Sequence, residues 1–199
     1  MIELLKLKYF YFILLSFVIL TIVSSNKISA DQKIKLIADE IEIKDELGII
    51  EAKGNAVANN EKGSKIKSDL IIYDENKAQI SAEGNIILND VEGNTYFLDK
   101  LETDNEMKNL TGIEVKARLD DGSRIVGSSV MKQENVSSIE NAEFTPCLES
   151  DYLIEGCPGW KLKAKKIFQD NDSKTIHYDH ARIHLFNVPV LYLPYFSHP

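Results

Sequence analysis

Apolar and polar residues alternate with period two along most of the chain beyond residue 37. In one stretch Ile50, Ala52, Ala56 and Ala58 share a parity while Glu51, Lys53 and Asn55 take the other. Thirty residues on, Ile80, Ala82, Ile86 and Leu88 share a parity against Ser81, Glu83 and Asn85. Successive side chains of a strand point to opposite faces, so each stretch predicts a strand with one apolar and one polar face. Turn clusters separate the strands: Asp45 to Gly48, Asn59 to Ser64, Asp74 to Lys77, Asn89 to Asn94 and Asp120 to Ser123. Short strands punctuated this regularly predict an all-β stack. No window combines helical periodicity with caps.

The alternation repeats with an offset of thirty. Ala52, Gly54, Asn55 and Asn59 recur as Ala82, Gly84, Asn85 and Asn89, and Asp39 and Ile41 recur as Asp69 and Ile71. A weaker third copy places Asp99 and Leu101 at the same offset. The Gly-Asn pair falls inside a strand, where glycine marks a bulge or a close backbone approach. A bend recurring in every rung curls a sheet into a roll. The expected architecture is therefore a β-roll of stacked, bent strands, with its apolar side chains inside: Ile50, Ala52, Ala56, Ile66, Leu70, Ile72, Ile80, Ala82, Ile86 and Leu88. Such an interior is either a filled core or, if slightly open, a groove for acyl chains. The two end strands leave unpaired edges that can accept another strand.

Composition changes the picture at the N-terminus. Lys6 and Lys8 precede an uncharged run from Tyr9 to Val23, and small and polar residues follow to Ala30. This is the layout of a secretory signal, with cleavage expected between Ala30 and Asp31; an uncleaved anchor is the alternative, although a span needs about 20 apolar residues. Removing residues 1–30 takes away three lysines and one glutamate and moves the formal charge from −8 to −10. So acidic a chain is unsuited to nucleic-acid backbones or to an anionic membrane surface. Two cysteines, Cys147 and Cys157, fit an exported protein, as a bridge, as free thiols or as partners of cysteines elsewhere.

Beyond residue 140 the repeat is harder to follow. Trp160, Leu162 and Ala164 alternate with Lys161, Lys163 and Lys165, a turn follows at residues 170–174, and a long strand leads into the apolar segment from Asn187 to Pro199. Pro189 and Pro194 assign that segment to a sheet edge or an irregular crossing. His177, His180 and His184 invite a metal site. On a straight strand, however, His177 faces away from the other two, and a spacing of four residues, about 13 Å, is too wide for one zinc ion. No nucleophile elbow, phosphate loop or zinc-protease motif is present, so no enzyme is expected.

Phe144, Thr145, Cys147, Pro158, Trp160 and Ala164, followed by the stretch from Ala181 to Pro199, resemble the LPS-assembly outer-membrane protein family, also called organic solvent tolerance proteins. The thirty-residue repeat resembles the OstA-like β-jellyroll that this family shares with a periplasmic LPS-bridge protein. The resemblance implies a non-catalytic role without cofactors. The roll would hold the lipid A acyl chains of lipopolysaccharide and join the bridge protein edge to edge by β-strand addition. A following outer-membrane barrel, with a plug lipoprotein inside, would deliver the lipid. It divides the chain into a signal peptide (1–30), periplasmic repeats (31–140) and the end of the roll with the passage to the barrel (141–199), the barrel itself being missing. Cys147 sits where the family's roll places a cysteine that pairs with the barrel; Cys157 has no counterpart, and a Cys147–Cys157 bridge would be a local substitute. A stand-alone bridge protein and a β-solenoid scaffold or adhesin are the alternatives.

Overall fold

The computed structural model describes residues 34–146, 159–170 and 172–198. The expected signal segment with Ala30 and Asp31, and both Cys147 and Cys157, lie outside the described residues. Twelve strands form one sheet: β1 (Lys35–Ile37), β2 (Glu40–Lys44), β3 (Ile49–Asn59), β4 (Lys65–Asp74), β5 (Gln79–Asn89), β6 (Thr95–Asp104), β7 (Leu110–Arg118), β8 (Arg124–Gln133), β9 (Val136–Thr145), β10 (Trp160–Asp170), β11 (Thr175–Leu185) and β12 (Val188–His198). From β3 onward each strand pairs antiparallel with the next, and β1 and β2 share the free side of β3. The chain is all-β, and β9 carries the sheet across residue 140 without interruption.

The repeat is a device for bending strands. Gly54 and Asn55 have φ of +72° and +46°, and Gly84 and Asn85 have +78° and +48°. Two consecutive left-handed residues open a bulge, and the pairing register shifts there, between Lys53 and Ala56 and between Glu83 and Ile86. Asn tolerates this region better than other non-glycine residues. Each bend is also pinned from the neighbouring strand or its approach. The Asn55 amide donates to Asp39 Oδ2 at 2.8 Å, and the Asn85 amide donates to Asp69 Oδ2 at 2.8 Å. The recurring Asp and the recurring Gly-Asn are thus one unit.

Gly84 is required twice over. Its φ suits glycine, and an added Cβ would stand 2.5 Å from Asp69 Oδ2. Gly84→Ala is expected to cost about 1–3 kcal/mol of stability, the usual range for a strained backbone position; urea denaturation measures it.

On the strands facing these bulges the inward parity changes at the bend: in β4, Ile66 and Ser68 are buried, then Ile71; in β6, Leu98, then Leu101 and Thr103. β7 changes parity at its own left-handed residue, Glu114 with φ of +53°, so that Leu110 and Gly112 are buried, then Val115 and Ala117. This corrects the expected inner face. Ile66 is buried, but Leu70 and Ile72 are only half-buried and lie outside the core cluster, where Ile71 takes their place and Tyr73 packs against it. Counting by twos fails because the strand turns at Asp69 with no glycine to announce it. Ala52, Ala56, Ile80, Ala82, Ile86 and Leu88 are buried where expected, and Ile50 keeps its parity but is half-buried.

Candidate functional site

The hairpin turns lie in two rows. One row holds the turns after β3, β5 and β7; the other holds those after β4, β6, β8 and β10. The second row is stitched along its length. Asn105 N–H donates to the Ala78 carbonyl at 2.9 Å, Glu134 N–H to Asn109 Oδ1 at 2.8 Å, and the Asn135 amide to Asp172 Oδ1 at 2.7 Å. In the first row Asp120 N–H donates to Asn94 Oδ1 at 3.1 Å.

The rows occupy opposite ends of strands that would span roughly 33 Å if straight, at about 3.3 Å per residue. They nevertheless meet. The Asn60 amide, after β3, donates to the Glu106 carbonyl, after β6, at 2.9 Å. Lys62 Nζ lies 2.7 Å and Lys108 Nζ 2.6 Å from Glu106 Oε2. Strands folded at their midpoints bring the two rows face to face, and this contact closes the seam. Hydrogen bonds and charge from Lys108 and Lys62 hold the Glu106 carboxyl down at about 2, so the clasp stays ionised at any ordinary pH. Asn60 itself is buried, its side-chain oxygen accepting the Ser64 and Lys62 N–H groups.

Behind the clasp the roll is full. Ala52, Ala56, Ala58, Ile66, Ile71 and Ile80 are wholly buried, and Met107, on the same turn as Glu106, is buried with them. Farther along, polar side chains reach the interior, as at Ser137, and a cavity opens. A cavity of about 460 Å³ is lined by Tyr96, Leu110, Ala117, Ile125, Val130 and Ile139, with Ser137 beside them. Glu92 and Asp120 from one row, and Lys132 and Gln169 near the other, line it too; Glu92, Asp120 and Gln169 are exposed and mark its mouth. Burial and the neighbouring Asp90 carboxylate push the Tyr96 hydroxyl upward, so it stays a proton donor, and it donates to Asp90 Oδ2 at 3.1 Å. The site is a chamber of mixed lining, in which the apolar side chains face polar ones that gather at its mouth. Sequence reading assigned none of its lining residues to a site, naming Asn94 and Asp120 only as turn residues, because the lining forms no motif.

The histidines serve the last hairpin. His180 has φ of +51° and reverses parity within β11. His177 and His180 therefore both reach tyrosines of β12, Tyr195 at 2.6 Å and Tyr192 respectively, where straight-strand counting puts them on opposite faces. Among the described residues no group of three His, Cys, Asp or Glu is placed to hold a metal ion. Pro189 and Pro194 lie in β12, which among the described residues pairs only with β11, as an edge strand allows.

No protein-family model matches the chain. Among curated proteins it is similar to the LPS-assembly protein LptD of Shewanella denitrificans, 31% identical over 137 residues, which cover 67% of this chain and 17% of that protein. It is similar to LptD of Idiomarina loihiensis, 32% identical over 99 residues covering 45% and 13%, and to LptD of Vibrio cholerae, 27% identical over 149 residues covering 73% and 18%. The chain thus spans less than a fifth of the length of these relatives. Among solved structures it is similar to LptH of Pseudomonas aeruginosa, described as the LptA homologous periplasmic component of a lipopolysaccharide transport device. The TM-score is 0.31 and the identity 16%, over 75% of this chain and 83% of that one.

Proposed function

We propose that this chain, an OstA-like relative of the LPS-assembly protein LptD, carries lipopolysaccharide without catalysis. The lipid A acyl chains lie in the chamber between β6 and β10, and the phosphorylated sugars stay in water at its lip. The observation that carries the reading is the chamber itself: about 460 Å³, within the usual range of roughly 300–1,000 Å³ for ligand sites, with Leu110, Ala117, Ile125, Val130 and Ile139 along it and polar groups where it opens. A chamber of this kind stabilises a lipid by removing acyl surface from water, about 25 cal/mol for each Å².

In this reading residues 1–30 direct export, the repeats from residue 31 stand on the periplasmic side of the outer membrane, and residues 141–199 lead towards the membrane. The free side of β1 and β2 supports strand addition by a periplasmic bridge protein. Among the described residues no strand pairs with the outer side of Lys35–Ile37 or Glu40–Lys44, and Ile37, Ile41 and Ile43 are exposed beside them. A plug lipoprotein would be met through an outer-membrane barrel and not through this roll.

A photoreactive side chain at Val130, inside the chamber, is expected to capture purified lipopolysaccharide, while one at Val91, exposed on the turn after β5, is not. Equal capture at the two positions, or none at Val130, would refute lipid carriage.

A further inference from the structure

The turn between β11 and β12 departs from the rest of its row. The turns after β3, β5 and β7 are charged, with Glu61 and Lys62, Asp90 and Glu92, and Asp120 and Asp121. Each also places a glycine at positive φ: Gly63, Gly93 and Gly122. The β11–β12 turn is Phe186-Asn187, with φ of +47° and +67°. A two-residue hairpin turn with both residues left-handed favours Asn-Gly or Asp-Gly, and a bulky ring is held there at a cost. Folding gains little in return. The Phe186 ring leans on Gly159 but the residue is 82% exposed. Leu185, Val188 and Val190 are exposed around it, and no Asp, Glu, Lys or Arg occurs from Ile183 to His198. Backbone strain kept beneath an exposed apolar patch points to a partner.

Charge narrows the choice of partner. Residues 34–146 carry 23 acidic and 13 basic side chains, whereas residues 159–198 carry three acidic and six basic. The acidity that argues against an anionic membrane surface therefore lies in the other strands. Behind the turn, Arg182 stands 5.6 Å over the Tyr192 ring and opposite Lys163, and Lys161 stands opposite His184. Glu143 of β9 is ion-paired with both lysines. Apolar tip, tyrosine and cations follow one another as hydrocarbon, interface and anionic headgroups do in a bilayer. An acidic protein would satisfy the cations and leave Phe186 in water. We propose that the β11–β12 turn is a membrane foot. Leu185, Phe186, Val188 and Val190 enter the interface of an anionic phospholipid bilayer, and Arg182, Lys161 and Lys163 meet its phosphates. The foot rests on the membrane-ward course proposed above for residues 141–199, and not on what the chamber holds.

The test uses the full chain with Trp160→Phe, which removes its single tryptophan. A reporter is then placed by Phe186→Trp at the tip, or by Val91→Trp on the charged turn after β5. Vesicles of phosphatidylethanolamine and phosphatidylglycerol, free of lipopolysaccharide, are prepared with and without acyl chains brominated near the headgroup. Bromine quenches an indole only at close range, so attachment through the apolar run from Tyr9 to Val23 is controlled by the second reporter. Quenching of at least about two-fold is expected at 186 and none at 91. Arg182→Glu, or Val188→Ser with Val190→Ser, is expected to halve the quenching at 186, with circular dichroism showing the strands intact. Phe186→Gly separates the foot from a folding role. Glycine adopts positive φ freely, so its urea midpoint is expected to equal or exceed that of the unchanged chain. A clearly lower midpoint would show that Phe186 is kept for stability and would overturn the proposal. A concentration-dependent dimer that Phe186→Gly abolishes, in place of quenching, overturns the bilayer in favour of a second copy. Equal quenching at 186 and 91, or none at 186, overturns the foot, while lipopolysaccharide capture at Val130 stands or falls separately.

Discussion

Replacing Ile71 with alanine is expected to lower the unfolding free energy by about 2–5 kcal/mol, the cost of deleting a buried branched side chain and leaving a cavity. The same change at Ile72 is expected to cost about 1 kcal/mol or less, as at a site away from the packed core. The two residues are chemically identical neighbours. They differ because β4 turns at Asp69, so that Ile71 is wholly buried between Ala52 and Ala82 of the flanking strands, while Ile72 is half-buried opposite Glu51 and Ser81. Chemical denaturation of both variants measures the contrast. Equal costs would mean that the strand runs straight and that the whole inner face is misassigned.

Ser137→Trp is expected to reduce lipopolysaccharide capture at Val130 about ten-fold, equivalent to ~1.4 kcal/mol of binding. Ser137 lines the chamber and is half-buried, so an indole there occupies space that an acyl chain would use. Stability is expected to change by less than about 1 kcal/mol, because overpacking is costly only where the interior is already full. The same substitution at Ala58, wholly buried behind the clasp, has no such room. Loss of binding together with loss of folding at Ser137 would show that the chamber is part of the packed core.

The all-β class and the bent rung were legible because they leave local marks. The alternation is regular, and the bend is built from Gly54-Asn55 and Gly84-Asn85, residue types that tolerate positive φ. Asp39 and Asp69 were visible as repeated residues, but their bonds to Asn55 and Asn85 were not, because a contact sixteen residues away has no local signature. The parity change in β4 was hidden for a related reason. The extra residues sit in β3 and β5, and β4 bends only in response to them. The reversal at His180 was equally silent, since a histidine carries no turn signal of its own. The chamber lay beyond sequence reading altogether. Its walls are ordinary residues such as Leu110, Ile125, Val130 and Ile139, brought together from strands and turns far apart in the sequence.

The edge strand β12 has a practical consequence for anyone handling this chain in solution. Natural sheet edges are commonly blunted by charged side chains. β12 has no Asp, Glu, Lys or Arg from Val188 to His198, and Val188, Val190, Tyr192 and Tyr195 are exposed along it. Its two prolines are the only interruption it offers to a neighbour that would continue the sheet. Colloidal stability therefore depends on this uncharged margin of an otherwise acidic molecule, and concentration and storage conditions need to be set with it in view and not by the low isoelectric point alone.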